Sequence, residues 1–333
     1  EKLHDFNQIS LADNLSKYND NNDIKIVFVF PGQGAQWISM GKTLIENEPV
    51  FKQTLEKINE LLKLYVDWDL FEELNNAKTR FDEIDVVQPV LIAIQIALAN
   101  LWQSKGIQPD KVVGHSMGEI AAAYIAQKIS LQDAVKIICT RSKLMKTLSG
   151  KGKMGATDLS IEEANAILKG YEDKLSIAVI NSKNSIVLSG DNEALEEVFE
   201  KLEQQGKFNK LIKVDVASHS PQMDSILSAL KENLHTVESK NSSIQFYSTV
   251  QNKLIQAGEL NADYWCDNLR KPVQFGNAIQ YALQDKNVLF IEMSPHPTML
   301  HAINENIEDS NCNAAVISSI VKDKNELIEF YTN

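Results

Sequence analysis

Apolar positions along this chain fall into two rhythms. Short continuous runs at 26–30 (Ile26-Val27-Phe28-Val29-Phe30) and 111–113 read as buried strands, and 244–247 and 288–293 read the same way. Between them the period changes to three and four. Over 131–148, Ala134, Ile138, Met145 and Leu148 mark one seam of an amphipathic helix. From Pro89 onward Val90, Leu91, Ile92, Ile94, Ile96, Leu98, Leu101 and Trp102 leave almost no polar face, which predicts a helix opened by that proline and buried all round. Strands alternating with helices predict an α/β fold with a mainly parallel sheet.

From 154 to 216 the order changes. A strand at 154–157, a helix at 161–168, strands at 177–180 and 186–189, a helix at 193–205 and a strand at 210–216 give the β-α-β-β-α-β sequence of a ferredoxin-like unit. The expected organisation is a polar linker at 1–23, a large α/β subdomain in two parts (24–153 and 217–317), the inserted small subdomain at 154–216, and a second linker at 318–333. The cleft between the subdomains is the expected site.

The candidate chemistry begins at Gly114-His115-Ser116-Met117-Gly118-Glu119, between a strand-prone run and the small-residue stretch 120–126. This is the strand–Gly-x-Ser-x-Gly–helix context of a nucleophile elbow, and it makes the large subdomain hydrolase-like. The glycines are expected to let backbone and substrate approach the serine. Ser116 then lies at a helix N-terminus that favours a developing oxyanion. The strand at 26–30 runs into Pro31-Gly32-Gln33-Gly34, a second source of free backbone N–H groups.

Arg141 falls on the apolar seam of the helix at 131–148, whereas Lys136, Lys143 and Lys146 lie off it. A guanidinium facing the core needs an anion. Two partners fit: a protein carboxylate such as Glu119, or the carboxylate of a substrate held by the two-pronged fork. His219, in Ala217-Ser218-His219-Ser220-Pro221 after a strand, is the candidate general base. Asp215 and Asp224 are close to it in sequence, but neither stands out as a third triad member. Gln88, just before Pro89, can turn its amide toward the site.

These residues carry a family resemblance. The chain resembles the malonyl-CoA:acyl-carrier-protein acyltransferases, and most closely the acyltransferase domains of polyketide synthases and animal-type fatty acid synthases. The matching segments are Phe28-Val29-Phe30-Pro31-Gly32-Gln33-Gly34-Ala35-Gln36-Trp37, Val87-Gln88-Pro89, the Ser116 elbow, Arg141, Gly152-Lys153-Met154-Gly155-Ala156, Val187-Leu188-Ser189-Gly190, Ala217-Ser218-His219-Ser220, Asn268-Leu269-Arg270-Lys271-Pro272-Val273-Gln274-Phe275 and Pro295-His296-Pro297. They occur in the family's order.

The resemblance implies a ping-pong transfer. Ser116 attacks the thioester of malonyl-CoA with His219 as base, and the phosphopantetheine thiol of an acyl carrier protein then takes the malonyl group. It implies an oxyanion hole at the Gln33 and Met117 backbone N–H groups, a malonyl carboxylate on Arg141, and an imidazole oriented by the backbone carbonyl of Gln274. It also places Gln88 and Ser218 at the substrate, makes His296 structural, gives His115 a supporting role at most, and implies a neighbouring ketosynthase. The residue before His219 is Ser218 rather than the phenylalanine frequent in malonyl-selecting members. Met117 can fill the room this leaves, so malonyl is the expected unit and methylmalonyl the alternative. A serine esterase or thioesterase shares the elbow but has no need of Arg141, and a non-catalytic docking module has no need of Ser116 and His219.

Composition narrows the partners. A net charge of −12 argues against nucleic acid and anionic membrane. The acidic substrate and carrier protein then call for local cations: Lys143, Lys146, Lys151 and Lys153 form one candidate patch, Lys207, Lys210 and Lys213 another. Three scattered cysteines match no metal spacing or disulfide framework, so no metal or bound cofactor is expected and a reducing, cytoplasmic setting is. No apolar run is read as a membrane span and no signal peptide is read at the start.

Overall fold

The computed structural model describes residues 24–333 except 77 and 215; the linker expected at 1–23 lies outside the described residues. The large subdomain opens with β1 (Lys25–Phe30), α1 (Lys42–Asn47), α2 (Pro49–Leu62), α3 (Leu70–Asn75) and α4 (Ile84–Ser104). It continues with β2 (Lys111–Gly114), α5 (Gly118–Ile125) and α6 (Leu131–Lys146). The small subdomain is β3 (Gly152–Thr157), α7 (Ile161–Ile167), β4 (Leu175–Ser182), β5 (Ser185–Asp191), α8 (Asn192–Gln204) and β6 (Asn209–Ile212). After a 3-10 turn at Pro221–Met223, the chain returns through α9 (Asp224–Asn233), β7 (Gln245–Ser248), β8 (Lys253–Leu254), α10 (Ala262–Arg270) and α11 (Phe275–Ala282). It ends with β9 (Asn287–Glu292), α12 (Leu300–Glu308), β10 (Asn313–Ser318) and α13 (Glu326–Thr332).

The large sheet has the order β10-β9-β1-β2-β7-β8 and is parallel up to β7, with β8 antiparallel at the edge. The small sheet has the order β4-β5-β3-β6 and is antiparallel throughout, the strand order of a ferredoxin-like unit. Gly155 is where α8 meets this sheet: a Cβ there would lie 2.1 Å from the Phe199 ring. The two sheets are tied through the segment after α10. Val273 bridges Val179 of β4, exchanging hydrogen bonds of 2.8 Å with Ile180 and Ala178.

Three expectations need correction. The helix read from Pro89 begins at Ile84, with Pro89 inside it. The proline costs one bond, to the carbonyl of Asp85, and burial of residues 86–99 outweighs that loss. This helix has 21 residues and is, by length and composition, apolar enough to cross a membrane, which the sequence reading passed over. It packs instead against α2, α5 and α6 as the central helix of the core. The strand read at 210–216 ends at Ile212, on an edge paired only with β3, where Leu211 and Ile212 stay exposed.

The last correction concerns 318–333, expected as linker. Ser319 and Ile320 are fully buried. The Glu326 carboxylate accepts the backbone N–H groups of Gly41, Thr43 and Leu44 at 2.6, 2.9 and 3.3 Å. It thereby caps α1, which has no side-chain cap of its own. Phe330 packs on the Trp102 ring with centroids 4.5 Å apart. A mostly polar tail is thus part of the large subdomain's packing.

Candidate active site

β1 and β2 are parallel neighbours, with Phe30 beside Gly114. The Gln33 loop and the Ser116 elbow therefore leave the sheet side by side at its carboxyl end. Ser116 has φ 54, the left-handed region that strains a non-glycine residue. The elbow glycines hold that turn for a reason other than the one expected. A Cβ on Gly114 would lie 2.3 Å from the backbone of Glu119, and one on Gly118 would lie 2.0 Å from the carbonyl oxygen of Phe30. The close approach is of α5 to its own strands, not of substrate to backbone.

His219 also has a positive φ, 61, and its backbone N–H donates to the Leu269 carbonyl at 3.0 Å. Its Nδ1 lies 2.8 Å from the carbonyl oxygen of Lys271. A carbonyl only accepts, so Nδ1 carries the proton and Nε2 is bare. Nε2 then accepts the hydroxyl of Ser116 at 2.7 Å. Burial and the nearby Arg141 charge push the imidazole pKa down to about 3, so the ring is neutral and able to take a proton.

The orienting carbonyl is therefore Lys271, not Gln274 as expected. Lys271 caps α10 in an extended conformation, which turns its carbonyl out of the helix and toward the ring. Gln274 instead donates its N–H to the Thr249 carbonyl at 2.8 Å, and its side chain accepts from Asn277 at 3.2 Å. Asp224 is engaged by Arg270 at 2.7 Å, and Asp215 lies outside the described residues. The arrangement is a serine–histidine dyad held by a backbone oxygen.

Arg141 is 2 % exposed. Its Nη2 donates to Ser116 Oγ at 3.0 Å and its Nη1 to Asn268 Oδ1 at 2.6 Å, while Nε is buried with no partner. The protein carboxylate weighed as its partner, Glu119, is fully buried and committed elsewhere. It accepts from Thr249 N (2.7 Å), Thr249 Oγ1 (2.9 Å), Tyr264 OH (2.7 Å) and Asn268 Nδ2 (2.8 Å). Among the described residues no carboxylate forms an ion pair with Arg141. Burial pulls its pKa down to about 10, with Glu119 opposing that shift, so the guanidinium stays charged at neutral pH.

Among the described residues, neither the Gln33 N–H nor the Met117 N–H donates a hydrogen bond, so both are free to meet an oxyanion. Two side chains of α4 steady the Gln33 loop: Gln88 Nε2 reaches Gln33 Oε1 at 3.4 Å, and Gln95 Nε2 donates to the Pro31 carbonyl at 2.8 Å. Gln88 Oε1 is left buried and unpartnered. The Met117 side chain sits in the large core, 1 % exposed.

Ser218 faces the small subdomain. Its Oγ lies 3.4 Å from Met154 Sδ, and its carbonyl accepts from Ser189 of β5 at 2.7 Å. His115 turns away from Ser116, with Nε2 3.3 Å from Asn181 Oδ1 and its ring against Phe275; burial lowers its pKa to about 4. His296 accepts from the Lys322 N–H at 3.3 Å in a turn outside the dyad. The predicted cationic patches are partly neutralised: Lys146 pairs with Glu83 and Asp85, Lys153 with Glu196, and Lys207 with Glu163. Among the described residues no cluster of His, Cys, Asp and Glu could hold a metal. Two surface hollows of about 430 and 470 Å³ lie by Tyr65 and Trp68 and by Ile244 and Tyr281, and Ser116 lines neither.

Asn268 had no role in the sequence reading, yet it joins Arg141, Glu119 and the carbonyl of Ser116. The available signal was a polar residue spaced with Tyr264, Trp265 and Leu269 on the buried face of α10.

The chain is similar to polyketide synthase GfsE of Streptomyces halstedii, 41 % identical over 90 % of this chain and 8 % of that protein. It is also similar to erythronolide synthase EryA2 of Saccharopolyspora erythraea, 38 % identical over 92 % of this chain and 9 % of that one. It therefore spans about a tenth or less of the length of these relatives. Among solved structures it resembles the acyltransferase domain from module 8 of the salinomycin polyketide synthase, with TM-score 0.90 and 35 % identity over 92 % of this chain and 73 % of that one. The acyltransferase domain of PpsC of Mycobacterium tuberculosis aligns with TM-score 0.85 and 31 % identity over 91 % and 93 % of the two chains. The acyl transferase domain family matches residues 27–333, nearly the whole described chain with both dyad residues inside it, and the chain belongs to that family as an acyltransferase domain of the polyketide synthase type.

Proposed function

We propose that this domain moves a malonyl unit from coenzyme A to the phosphopantetheine thiol of an acyl carrier protein, through an ester on Ser116. The observation that carries this reading is Arg141: a buried cation 3.0 Å from the Ser116 hydroxyl, its Nε without a partner and no carboxylate of the described chain paired with it. A guanidinium beside the nucleophile whose hydrogen bonds go only to neutral groups matches an acyl group that brings its own carboxylate. An acetyl group leaves it unmatched, a penalty of the kind that discriminates strongly.

In the first half-reaction His219 Nε2 takes the Ser116 proton as Oγ bonds to the thioester carbonyl carbon. The oxyanion meets the Gln33 and Met117 N–H groups, each such donor contributing about 3 kcal/mol to transition-state stabilisation. The carbon–sulfur bond breaks and the proton on His219 goes to the coenzyme A sulfur. In the second half-reaction the carrier thiol gives its proton to His219, attacks the ester, and Ser116 Oγ leaves with that proton. The Lys271 carbonyl on Nδ1 leaves Nε2 as the proton acceptor, and the same atom serves both half-reactions.

Ser218, beside Met154 rather than filling the cleft with a ring, favours methylmalonyl as the second reading. A methyl group is worth only about 1–3 kcal/mol in a pocket. Mass spectrometry of the Ser116 peptide after incubation with malonyl-, methylmalonyl- or acetyl-CoA tests both. A malonyl adduct forming fastest is expected; an acetyl adduct forming equally fast would sink the proposal. Transfer to a carrier protein and placement beside a ketosynthase are part of the same proposal, supported by the likeness to polyketide synthases.

A further inference from the structure

We propose that Asn268 is a positioning residue that links Glu119 to Arg141 while keeping that carboxylate off the guanidinium, so that the fork stays open for an acyl carboxylate. This rests on the reading of Arg141 as the carboxylate clamp.

The amide's orientation is fixed by its neighbours. Arg141 Nη1 only donates, so the atom 2.6 Å from it is Oδ1. The carbonyl oxygen of Ser116 at 3.1 Å only accepts, so it and Glu119 Oε2 at 2.8 Å face Nδ2. One amide thus fixes the strained elbow, the buried carboxylate and the buried cation in a row. Each oxygen of Glu119 receives one N–H, from Thr249 or Asn268, and one hydroxyl, from Thr249 or Tyr264. That is the coordination of an ionised carboxylate. Burial raises its pKa overall and the four donors oppose that shift, so the ionised form rests on the donor set and on the cation beside it. A buried negative charge needs a cation nearby, and Arg141 supplies it one residue away through the amide.

Direct contact would defeat the site. A Glu119 carboxylate on Arg141 would form the bidentate pair that the substrate is to form, and every incoming malonyl group would have to displace it. A neutral amide in between preserves the electrostatic support and removes the competitor. The charged and titratable groups around the pair include Glu119 on α5, Arg141 on α6, Tyr264 and Asp267 on α10, and His219 before the 3-10 turn with His115 and Arg270 near it.

The test relocates the charge. Glu119→Gln with Asn268→Asp keeps the net charge and moves the carboxylate directly onto Arg141. Rates of Ser116 ester formation from malonyl-CoA and acetyl-CoA are compared with those of the unaltered chain and of Arg141→Ala, each with its melting temperature. The expected result is a fall of about 10²-fold in malonyl loading, mainly as a higher KM, with acetyl loading kept within about fivefold. Asn268→Asp alone keeps Glu119, and the two carboxylates share a proton at low pH. Its malonyl-to-acetyl ratio should fall as pH rises from 6 to 9, while that of the unaltered chain stays flat; this arm decides the matter if the double variant does not fold. A folded double variant with an unchanged ratio, or a ratio in Asn268→Asp that ignores pH, overturns the role of Asn268 provided Arg141→Ala still shifts the ratio. If Arg141→Ala leaves the ratio unchanged, the clamp itself falls and this inference with it.

Discussion

The two subdomains treat charge in opposite ways. The large one buries Glu119, Arg141, His219 and Glu292 and holds each with directed hydrogen bonds. The small one fills its core with Leu159, Leu175, Ile186, Leu188, Leu195 and Val198, and keeps its ionic contacts, such as Lys207–Glu163, at the surface. Buried charge is costly, and it persists where a reaction needs a neutral base, a bare cation and a strained serine in fixed relation. The small subdomain contributes walls and tethers instead: Ser189 on the Ser218 carbonyl, Asn181 at His115, and β4 on Val273. The chemistry is therefore predicted to break on one side of the cleft and tolerate change on the other.

The largest effect should come at the nucleophile. Ser116→Ala should abolish acyl-enzyme formation while the melting temperature holds, since the hydroxyl contributes little packing. A normal malonyl adduct on that variant would remove Ser116 from the mechanism. Next comes the base. His219→Ala should slow loading and transfer alike by a factor on the order of 10²–10⁴. Stopped-flow measurement of both half-reactions checks this, and slowing of only one would point to a different proton acceptor.

A smaller effect concerns pH. His115 and His219 are held neutral by burial, with pKa values near 4 and 3 against an ordinary 6.5. Unfolding raises both, so the stability they contribute is present above pH 6.5 and lost as pH falls toward 4. Glu292, pushed by burial up to about 7, acts in the opposite sense and loses its contribution as pH rises through that value. His115→Gln removes one histidine from this balance and should melt with a smaller drop between pH 7 and pH 5 than the unaltered chain. Equal drops by calorimetry would show that His115 is not kept neutral.

The smallest effect belongs to the other side of the comparison. Lys207→Ala removes an exposed ion pair of the small subdomain. Such pairs are worth about 0–1 kcal/mol. Loading rates should stay unchanged and the melting temperature nearly so. A clear loss of activity would make the small subdomain more than a wall.

Much of this organisation was legible along the chain. Continuous apolar runs and three-and-four spacings placed β1, β2, α6 and five of the six elements of the small subdomain to within about two residues, and the sixth, β6, stopped four residues short. The seam position of Arg141 marked a buried cation before any contact was known. The misreadings share a cause. Pro89 looked like a helix start because proline favours that position, yet packing on all sides carried α4 through it. The tail at 318–333 looked like linker because it follows the last strand candidate, and only the fold brings Glu326 to the open N-terminus of α1. Gln274 and Lys271 are three residues apart, and sequence alone does not say which carbonyl faces His219.

The sequence by itself determined the elements, the elbow, the family and the residue types able to carry acyl transfer, since these depend on local periodicity, turn chemistry and an ordered series of motifs. Tertiary structure alone decided the tautomer of His219, the bare Nε of Arg141 and the place of Asn268 between two charges. Each depends on which long-range neighbour donates and which accepts, and that is settled only when α5, α6, α10 and the loop of His219 meet at the carboxyl end of the sheet.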